Sequence, residues 1–270
     1  MDSAGFVHSS FYRFVSLGDP AGIAARLREM GGQVCGNITV APEGISAAIA
    51  ARAEAMALFE AQLQQEFDAL FDGVQFKHTA CERLPFTLLK VHTKPEIVAF
   101  GVPGVSGCDA TDTHVSPQRW RELLADSGTV ILDNRNSFEF KLGRFRGAVD
   151  PGVAHFRDFP AYVEAHRDEW QGKTVAMYCT GGIRCEKTAA WMQTLGLKVA
   201  QLDGGILNYL EAFPEDAAQD WQGECYVFDK RIAIDAAGRE TGTTAEAVFT
   251  DPADAWRLAR AKRLDPAVEE

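Results

Sequence analysis

The first hundred residues alternate between short apolar strands and amphipathic helices. Two helices are indicated by apolar residues at helical spacing: Ile23, Leu27 and Met30 in one, and Phe59, Leu63, Phe67 and Leu70 in the other. Five strands are indicated by apolar runs at residues 11–15, 34–40, 45–49, 74–77 and 88–91. The two helices and the first four strands have the order β-α-β-β-α-β, which predicts a ferredoxin-like (acylphosphatase-like) α+β domain.

The pattern changes after a glycine- and proline-rich linker at residues 101–115. Strands are predicted at 129–133, 174–178 and 197–202, and helices at 117–124, 159–170, 184–195 and from Gly205 onward. This alternation predicts a parallel α/β domain, a sheet covered by helices. The predicted domains are 1–100 (ferredoxin-like), 101–122 (linker and leading helix), 123–218 (parallel α/β) and 219–270 (C-terminal extension). We expect the apolar segment 221–234 to dock on one of the two domains.

Composition and charge narrow the functional classes. Of 270 residues 46% are hydrophobic and 24% charged, as in ordinary globular proteins, and the formal net charge is −11. There is no apolar run of about 20 residues and no signal-peptide pattern at the start, so we expect a cytoplasmic protein without membrane contact. The acidic balance argues against general nucleic-acid affinity, which leaves room only for local RNA contacts. Six cysteines without a C-x-x-C pair favour reduced thiols.

A candidate reactive cysteine directly follows the predicted strand 174–178. Cys179 begins a glycine-containing loop that leads into a helix near Arg184, and ligand sites in parallel sheets lie at the carboxyl ends of strands. Such a loop can turn its backbone N–H groups inward as a cradle for an anion. The cradle residues are Thr180, Gly181, Gly182 and Ile183. We expect the cradle and the Arg184 guanidinium to lower the pKa of Cys179 below about 8.5, which makes this cysteine the candidate nucleophile.

This loop resembles the active-site loop of the rhodanese superfamily, whose cysteine accepts sulfur as a persulfide. Residues 179–184, Cys-Thr-Gly-Gly-Ile-Arg, place four residues between the cysteine and the arginine, and related phosphatases have a wider loop of five. Further rhodanese-like landmarks occur in order: the Asp-x-Arg at 133–135, the acid Glu139, the segment 143–148 and the glycine pair 204–205. The phosphatase interpretation is therefore disfavoured.

The longer run at residues 178–187, Tyr-Cys-Thr-Gly-Gly-Ile-Arg-Cys-Glu-Lys, looks like the signature of the rhodanese-like tRNA uridine hydroxylases. The likeness covers about residues 10–232 and implies that the parallel α/β domain is a rhodanese domain. It also implies a tRNA-modifying enzyme that forms 5-hydroxyuridine at the wobble position through the rhodanese-type cysteine, with molecular oxygen as co-substrate. No cofactor motif is identifiable. The alternatives are a generic rhodanese sulfurtransferase, which moves sulfur from thiosulfate or a persulfide, and a non-enzymatic rhodanese scaffold.

The sequence departs from this family in two places. Residues 46–48, Ser-Ala-Ala, stand where the resemblance leads us to expect Asn-Gly-Thr. Many relatives continue into a cysteine-rich tail that looks able to bind zinc, whereas no cysteine follows Cys225 here. We therefore predict no metal site.

Four residues near the loop are accessory candidates. Cys185 is either a resolving thiol or a packed structural cysteine that points away from the cradle. Lys187 either meets an RNA phosphate or is solvated on the helix surface. Asp133 and Arg135 lie at a strand end that faces the same rim, and Asp133 is either a site residue or one that braces the loop.

Two segments are locally basic and are candidate tRNA contacts. Residues 135–146 contain Arg135, Lys141, Arg144 and Arg146 against one acid, and residues 77–94 contain Lys77, Arg83, Lys90 and Lys94 against one acid. We predict phosphate contacts from Lys141, Arg144 and Arg146, with both segments converging on a tRNA stem. Ordinary solvated surface is the alternative.

Overall fold

The computed structural model describes residues 5–264, which divide into two compact units. The first unit contains the described residues up to Ile97, the short segment Phe228–Ile232 and the described residues from Thr243 onward. The second unit contains Val98–Val227 and Ala233–Gly242. No helix within residues 5–264 combines the length and the apolarity that crossing a membrane requires.

The first unit is built on a five-stranded sheet. Its elements are β1 (Phe6–Phe14), α1 (Pro20–Met30), β2 (Cys35–Ala41), β3 (Gly44–Arg52), α2 (Ala53–Glu66), α3 (Asp68–Phe71), β4 (Lys77–Cys81) and β5 (Leu89–Thr93). The strand order is β4-β1-β3-β2-β5, with β5 parallel to β2 and all other pairs antiparallel. The first four strands have the predicted ferredoxin-like order, and β5 extends the sheet. Leu27 of α1 and Phe59 of α2 pack with Phe11 and Ile49 of the sheet in one apolar core.

One predicted strand of this unit is wrong. The sequence predicts a strand at residues 74–77, but β4 begins at Lys77, where that prediction ends, and pairs with the first half of β1. Val74 and Phe76 pack against the apolar core ahead of β4, so their apolar character reflects burial and not extended pairing. β4 is an edge strand whose residues alternate in exposure, and such a strand has no apolar run to reveal it.

The second unit is built on a four-stranded parallel sheet. Its elements are β6 (His114–Val115), α4 (Pro117–Ala125), β7 (Thr129–Asp133), α5 (Ser137–Leu142), β8 (Gly143–Phe145), α6 (Phe159–His166), β9 (Thr174–Tyr178), α7 (Ile183–Thr194), β10 (Lys198–Leu202), α8 (Gly205–Ala212), β11 (Trp221–Gly223), β12 (Cys225–Tyr226) and β13 (Ala233–Ile234). The order is β6-β10-β9-β7, and every pair is parallel, as predicted. Two helices of the first unit follow, α9 (Ala245–Val248) and α10 (Ala255–Leu264).

Strand β9 lies in the middle of the parallel sheet, between β10 and β7, and four of its five residues are fully buried. Strands of parallel sheets are buried on both faces and read as continuous apolar runs, so the sequence predicts β7 and β9 at the bounds that the structure shows. Because parallel strands end at the same edge, the residues that follow β7, β9 and β10 are brought to that edge.

The apolar segment 221–234 belongs to both units, which corrects the expectation that it docks on one domain. β11 pairs with β8, and β12 pairs with β13, all in the second unit. The intervening Phe228–Ile232 belongs to the first unit, where Arg231 Nη1 donates to Thr79 Oγ1 at 3.0 Å. Apolar character alone does not distinguish between two cores, so the sequence pattern could not reveal this division.

Candidate active site

Cys179 lies at the carboxyl edge of the parallel sheet and is fully buried. Its loop is tied to both neighbouring strand ends. The Asn134 N–H, just after β7, donates to the Tyr178 carbonyl at 2.8 Å. The Ile206 and Leu207 N–H groups, at the start of α8, donate to the Cys179 and Thr180 carbonyls at 3.0 and 3.1 Å. The first N–H groups of α8 have no partner within the helix, and here they donate to two carbonyls of the loop.

The loop forms a cradle for the Cys179 sulfur. The Gly182 N–H donates to Cys179 Sγ at 3.1 Å, and the Arg184 N–H also donates to this sulfur. Gly182 has φ of 101°, in the left-handed region that favours glycine. The backbone of Gly181 has no positive φ, and a Cβ built there would meet no other atom within 4 Å. Of the two predicted loop glycines, only Gly182 is therefore required by the turn.

The second glycine of the rhodanese-like pair 204–205 lets α8 reach the loop. Gly205 has φ of 68°, and a Cβ built on it would lie 2.4 Å from the Cys179 carbonyl oxygen. Real Cβ atoms do not approach backbone this closely, so no other residue fits without moving the loop. The close contact holds the donors of the cradle in place.

The donors outweigh the effect of burial on the thiol. Burial raises the pKa of Cys179, but the hydrogen bond from Cys185, the charge of Arg184 and the N–H groups of Arg184 and Gly182 lower it further, to about 5. At neutral pH this cysteine is therefore a thiolate, the form that acts as a nucleophile. The expected direction of the shift agrees with the structure.

The Arg184 guanidinium is held by Glu139, a residue that the sequence did not predict as part of the site. Its Nη1 and Nη2 donate to the two Glu139 oxygens at 2.8 Å each, and Glu139 is fully buried at the start of α5. Burial raises the pKa of Glu139, but the charge and hydrogen bonds of Arg184, the charge of Arg135 and the Asn136 N–H together lower it further, so the carboxyl stays ionised. Thr180 Oγ1 lies 3.4 Å from both Glu139 Oε1 and Arg184 Nη2. The guanidinium is thus fixed beside the cradle by a two-pronged ion pair.

The sequence contained a local signal for Glu139. The Asn136 N–H donates to Glu139 Oε2 at 3.1 Å, which is the half of a capping box that an Asn-x-x-Glu pattern at a helix start predicts. The acid was also among the rhodanese-like landmarks. The pattern could not show that the same carboxylate also accepts hydrogen bonds from an arginine 45 residues away.

Cys185 contacts the cradle, so of its two predicted interpretations the one in which it points away is wrong. Its thiol is hydrogen-bonded to the Cys179 sulfur, and Asn134 Nδ2 lies 3.8 Å from Cys185 Sγ. Burial and the neighbouring Cys179 sulfur raise the pKa of Cys185 well above its ordinary value, so Cys185 is the protonated partner. Asn134 also donates to Thr188 Oγ1 at 2.8 Å, which orients the amide. Neither Asn134 nor Thr188 had a signal in the sequence.

Asp133 and Arg135 brace the loop and do not face a rim. Both are buried, and Arg135 Nε and Nη2 donate to the Asp133 carboxylate at 2.9 and 2.6 Å. The Tyr178 hydroxyl also donates to Asp133, at 2.6 Å, and Arg135 Nη2 donates to the Gly143 carbonyl. This network links the ends of β7 and β9. Arg135 is only 1% exposed, so the inclusion of this residue among the RNA-contacting cations is wrong.

Lys187 is buried, and both predicted interpretations of it are wrong. Only 1% of the residue is exposed, and its Nζ donates to the Val98 carbonyl at 3.4 Å. It is therefore neither solvated nor available to an RNA phosphate. Lys187 lies on α7, and most residues of this helix are buried.

The remaining cations of the predicted tRNA contacts lie at the surface. Lys141 and Arg146 are exposed, and Arg144 is half-buried with its guanidinium 5.0 Å from the centre of the Phe140 ring. Arg146 Nε donates to the Gln219 carbonyl at 2.6 Å. In the first unit, Lys90 and Lys94 are exposed. The convergence of the two groups on a tRNA stem stays a prediction.

Metal ligands are not clustered in the part of the chain that the structure describes. Among residues 5–264, no group of three or more His, Cys, Asp or Glu side chains is placed to hold a metal ion. The site chemistry that the described residues offer is that of a thiolate, a second thiol, a guanidinium and a carboxylate.

Comparison with known proteins relates both units to described families. Residues 6–97 match the UPF0176 acylphosphatase-like domain, and residues 116–212 match the rhodanese-like domain. A protein of Synechococcus elongatus named tRNA uridine(34) hydroxylase is 46% identical, over 84% of this chain and 84% of its own length. A protein of Deinococcus radiodurans with the same name is 40% identical, over 97% of this chain and 85% of its own length.

Proposed function

Because the chain belongs to the tRNA uridine(34) hydroxylase family, we propose that it is an enzyme that hydroxylates the wobble uridine of tRNA, giving 5-hydroxyuridine. The observation that carries the proposal is that the likeness extends over both domains, since the relatives align with 84% and 97% of this chain. A rhodanese domain alone would share only the second half. We also propose the cytoplasm as the compartment, because tRNA is the substrate.

Cys179 is the catalytic nucleophile in this proposal. The support is its position at the carboxyl edge of the sheet and a pKa lowered to about 5 by the surrounding donors. Arg184 is the positioning cation: it supplies an N–H and a positive charge to the sulfur, while Glu139 holds its guanidinium. A negatively charged species on Cys179, whether thiolate or persulfide, is stabilised by the same donors.

Molecular oxygen is the proposed source of the hydroxyl oxygen, on the family likeness. Replacing the C5–H of uridine by C5–OH takes one oxygen atom, and the second atom of dioxygen must leave as water. Two electrons and two protons are therefore required for each turnover. A site that presents thiols suits a reaction that consumes thiol-class reductants.

Nucleoside mass spectrometry of tRNA tests the proposal. Cells that lack the gene are complemented with wild-type chain, with Cys179→Ser, or with Cys108→Ser as a matched control at an exposed cysteine. We expect 5-hydroxyuridine with the wild type and with Cys108→Ser, and none with Cys179→Ser. Equal levels in all strains would contradict both the activity and the role of Cys179.

Surface cations of the second unit are the proposed tRNA contacts. Lys141, Arg144 and Arg146 follow the buried Asp133–Arg135 network along the chain, and their accessibility in a chain of net charge −11 suits local phosphate binding. Charge reversal of Lys141 and Arg144 together is expected to weaken tRNA binding and to reduce the slope of log affinity against log salt by roughly 1–2. Lys198→Glu, at an exposed position on β10, is the control. An unchanged salt slope would exclude these contacts.

Sulfurtransfer is the second candidate function, favoured by the rhodanese match and the anion cradle alone. A cyanide-dependent thiosulfate assay on the purified chain separates the two. Fast thiocyanate formation with no change of 5-hydroxyuridine in cells would favour the sulfurtransferase. The scaffold interpretation is disfavoured because a non-enzymatic module has no need to hold a buried cysteine as a thiolate.

A further inference from the structure

Cys185 is a second thiol in the site, and nothing in the proposed reaction assigns it a role. It is the third residue of α7, it is fully buried in the same core cluster as Cys179, and its thiol is hydrogen-bonded to the Cys179 sulfur. Its N–H donates to the Gly182 carbonyl at 2.9 Å, and the Gly182 N–H donates to Cys179 Sγ at 3.1 Å. Asn134 Nδ2 lies 3.8 Å from the Cys185 sulfur, and the Asn134 amide also donates to Thr188 Oγ1. Two thiols held in contact can undergo one reaction that neither can undergo alone, which is formation of a disulfide.

We propose that Cys185 is the resolving thiol of Cys179: after a peroxide has oxidised Cys179 to the sulfenic acid, Cys185 closes a Cys179–Cys185 disulfide that a thiol reductant reopens. This inference rests on the proposed nucleophilic character of Cys179. It adds a reversible oxidation site to the enzyme and concerns the sulfur chemistry of the chain itself, independent of tRNA.

The steps balance in atoms and electrons. The Cys179 thiolate attacks one oxygen of the peroxide, the O–O bond breaks, and the other oxygen leaves with a proton as water or alcohol; the sulfur loses two electrons and the peroxide gains them. The Cys185 sulfur then attacks the Cys179 sulfur, the S–S bond forms, the S–O bond breaks, and the Cys185 proton leaves with the oxygen as water. A dithiol reductant later returns two electrons and two protons to the pair.

The arrangement selects this pair over the other cysteines. Oxidation follows thiolate character, and the donors around Cys179 supply it. Burial raises the pKa of the Cys35 and Cys225 thiols, and at Cys35 it outweighs the backbone hydrogen bonds that lower the pKa. The hydrogen bond holds the Cys185 thiol against the Cys179 sulfur, with which it forms the proposed disulfide. The oxidised sulfur therefore meets a thiol before it meets a second peroxide.

The inferred consequence is protection of the nucleophile. A sulfenic acid without a thiol partner goes on to the sulfinic acid, which ordinary thiols do not reverse. With Cys185 in place, peroxide is expected to inactivate the enzyme reversibly. Without it, the same exposure is expected to inactivate the enzyme permanently.

The sequence permits a direct test by tryptic digestion. Trypsin cleaves after Lys173, Arg184 and Lys187, so Cys179 falls in the peptide 174–184 and Cys185 in the peptide 185–187. Full-length protein is treated with hydrogen peroxide, free thiols are blocked with iodoacetamide in denaturant, and the digest is analysed by mass spectrometry. We expect the two peptides to appear joined, two hydrogen atoms lighter than their sum, and to separate after dithiothreitol treatment.

Two variants provide the control. In Cys185→Ser we expect no joined peptides, accumulation of sulfinic acid on Cys179, and no recovery of iodoacetamide reactivity with dithiothreitol. Cys108→Ser, at the exposed cysteine, is expected to behave like the wild type. Cys185→Ala repeats the test with a different side chain, and urea unfolding curves establish that each variant is folded.

Two results would overturn the proposal. The first is accumulation of sulfinic acid on Cys179 at the same rate in the wild type and in Cys185→Ser, with no joined peptides. The second is a Cys179 that peroxide leaves unmodified, which would also remove its assignment as nucleophile. Because the measurement involves no tRNA, loss of the hydroxylase proposal alone would leave the joined peptides as expected.

Discussion

Two buried cysteines of the second unit have opposite acidities. Cys179 begins the loop after β9, Cys225 begins β12, and neither is exposed to solvent. Burial raises the pKa of Cys225 to about 12, whereas the pKa of Cys179 falls to about 5 in spite of burial. Cys225 Sγ faces a carbonyl oxygen, that of Tyr226 at 3.7 Å, while Cys179 Sγ faces the Gly182 N–H at 3.1 Å. The comparison teaches that the polarity of the facing groups, and not burial, decides which cysteine reacts.

The pH dependence of alkylation gives the largest expected contrast. Because the pKa of Cys179 is lowered, its thiolate is present above pH 5 and lost below it. At pH 7 Cys179 is therefore a thiolate, whereas Cys225 is a thiol. The rate of reaction with iodoacetamide is expected to rise through a midpoint near pH 5 and then stay level. Cys179→Ser should remove this phase and Cys225→Ser should keep it; a midpoint near pH 8–9 would break the comparison.

Removing the carboxylate behind Arg184 gives the next largest effect. In Glu139→Gln the buried guanidinium loses its charged partner, and breaking a buried ion pair from one side costs about 3–5 kcal/mol of unfolding free energy. The matched control is Glu122→Gln, because Glu122 pairs with Arg119 at the surface, with 64% and 58% of the side chains exposed. There we expect a loss of about 0–1 kcal/mol. Urea unfolding measures both, and equal losses would show that the pair does not support the loop.

The elements that the sequence predicts well are those with local causes. The bounds of β7 and β9 follow from apolar runs, and the helix after the loop follows from the turn glycines. The acidity of Cys179 was predictable in direction because its donors, from Gly182 and Arg184, lie within five residues of it. Local causes leave a signal in a short stretch of sequence.

The features that the sequence misses have partners far along the chain. Arg135 and Lys187 are cations, which a sequence pattern assigns to the surface, yet both are buried. The Lys187 partner Val98 lies 89 residues away, and the neighbour Asn134 of Cys185 lies 51 residues away. Only the pairing of strands and the packing of α7 bring such groups together. For the same reason, the sequence does not reveal that Cys185 is oriented toward the cradle.

Replacement of Cys185 tests how far its thiol lowers the pKa of Cys179. Cys185→Ala removes a donor from the Cys179 thiolate, and a hydrogen bond to a charged group is worth about 1.5–3 kcal/mol, or about one to two pKa units. The alkylation midpoint is therefore expected to move upward by that amount. Cys185→Ser keeps an O–H donor and should move it less. If both variants leave the midpoint in place, the backbone donors alone account for the acidity.

The smallest expected difference between two variants concerns the glycine that holds α8 against the loop. Gly205→Ala and Gly172→Ala both place a side chain at positive φ, 68° and 79°, which costs roughly 1–2 kcal/mol. Only the Cβ at 205 meets backbone, at 2.4 Å, while the Cβ at 172 meets nothing within 4 Å. Gly205→Ala should therefore lose about 1–3 kcal/mol more of unfolding free energy. It should also raise the pKa of Cys179, because a displaced loop turns its N–H groups from the sulfur; equal stability and equal alkylation midpoints in the two variants would show that the cradle keeps its shape without this contact.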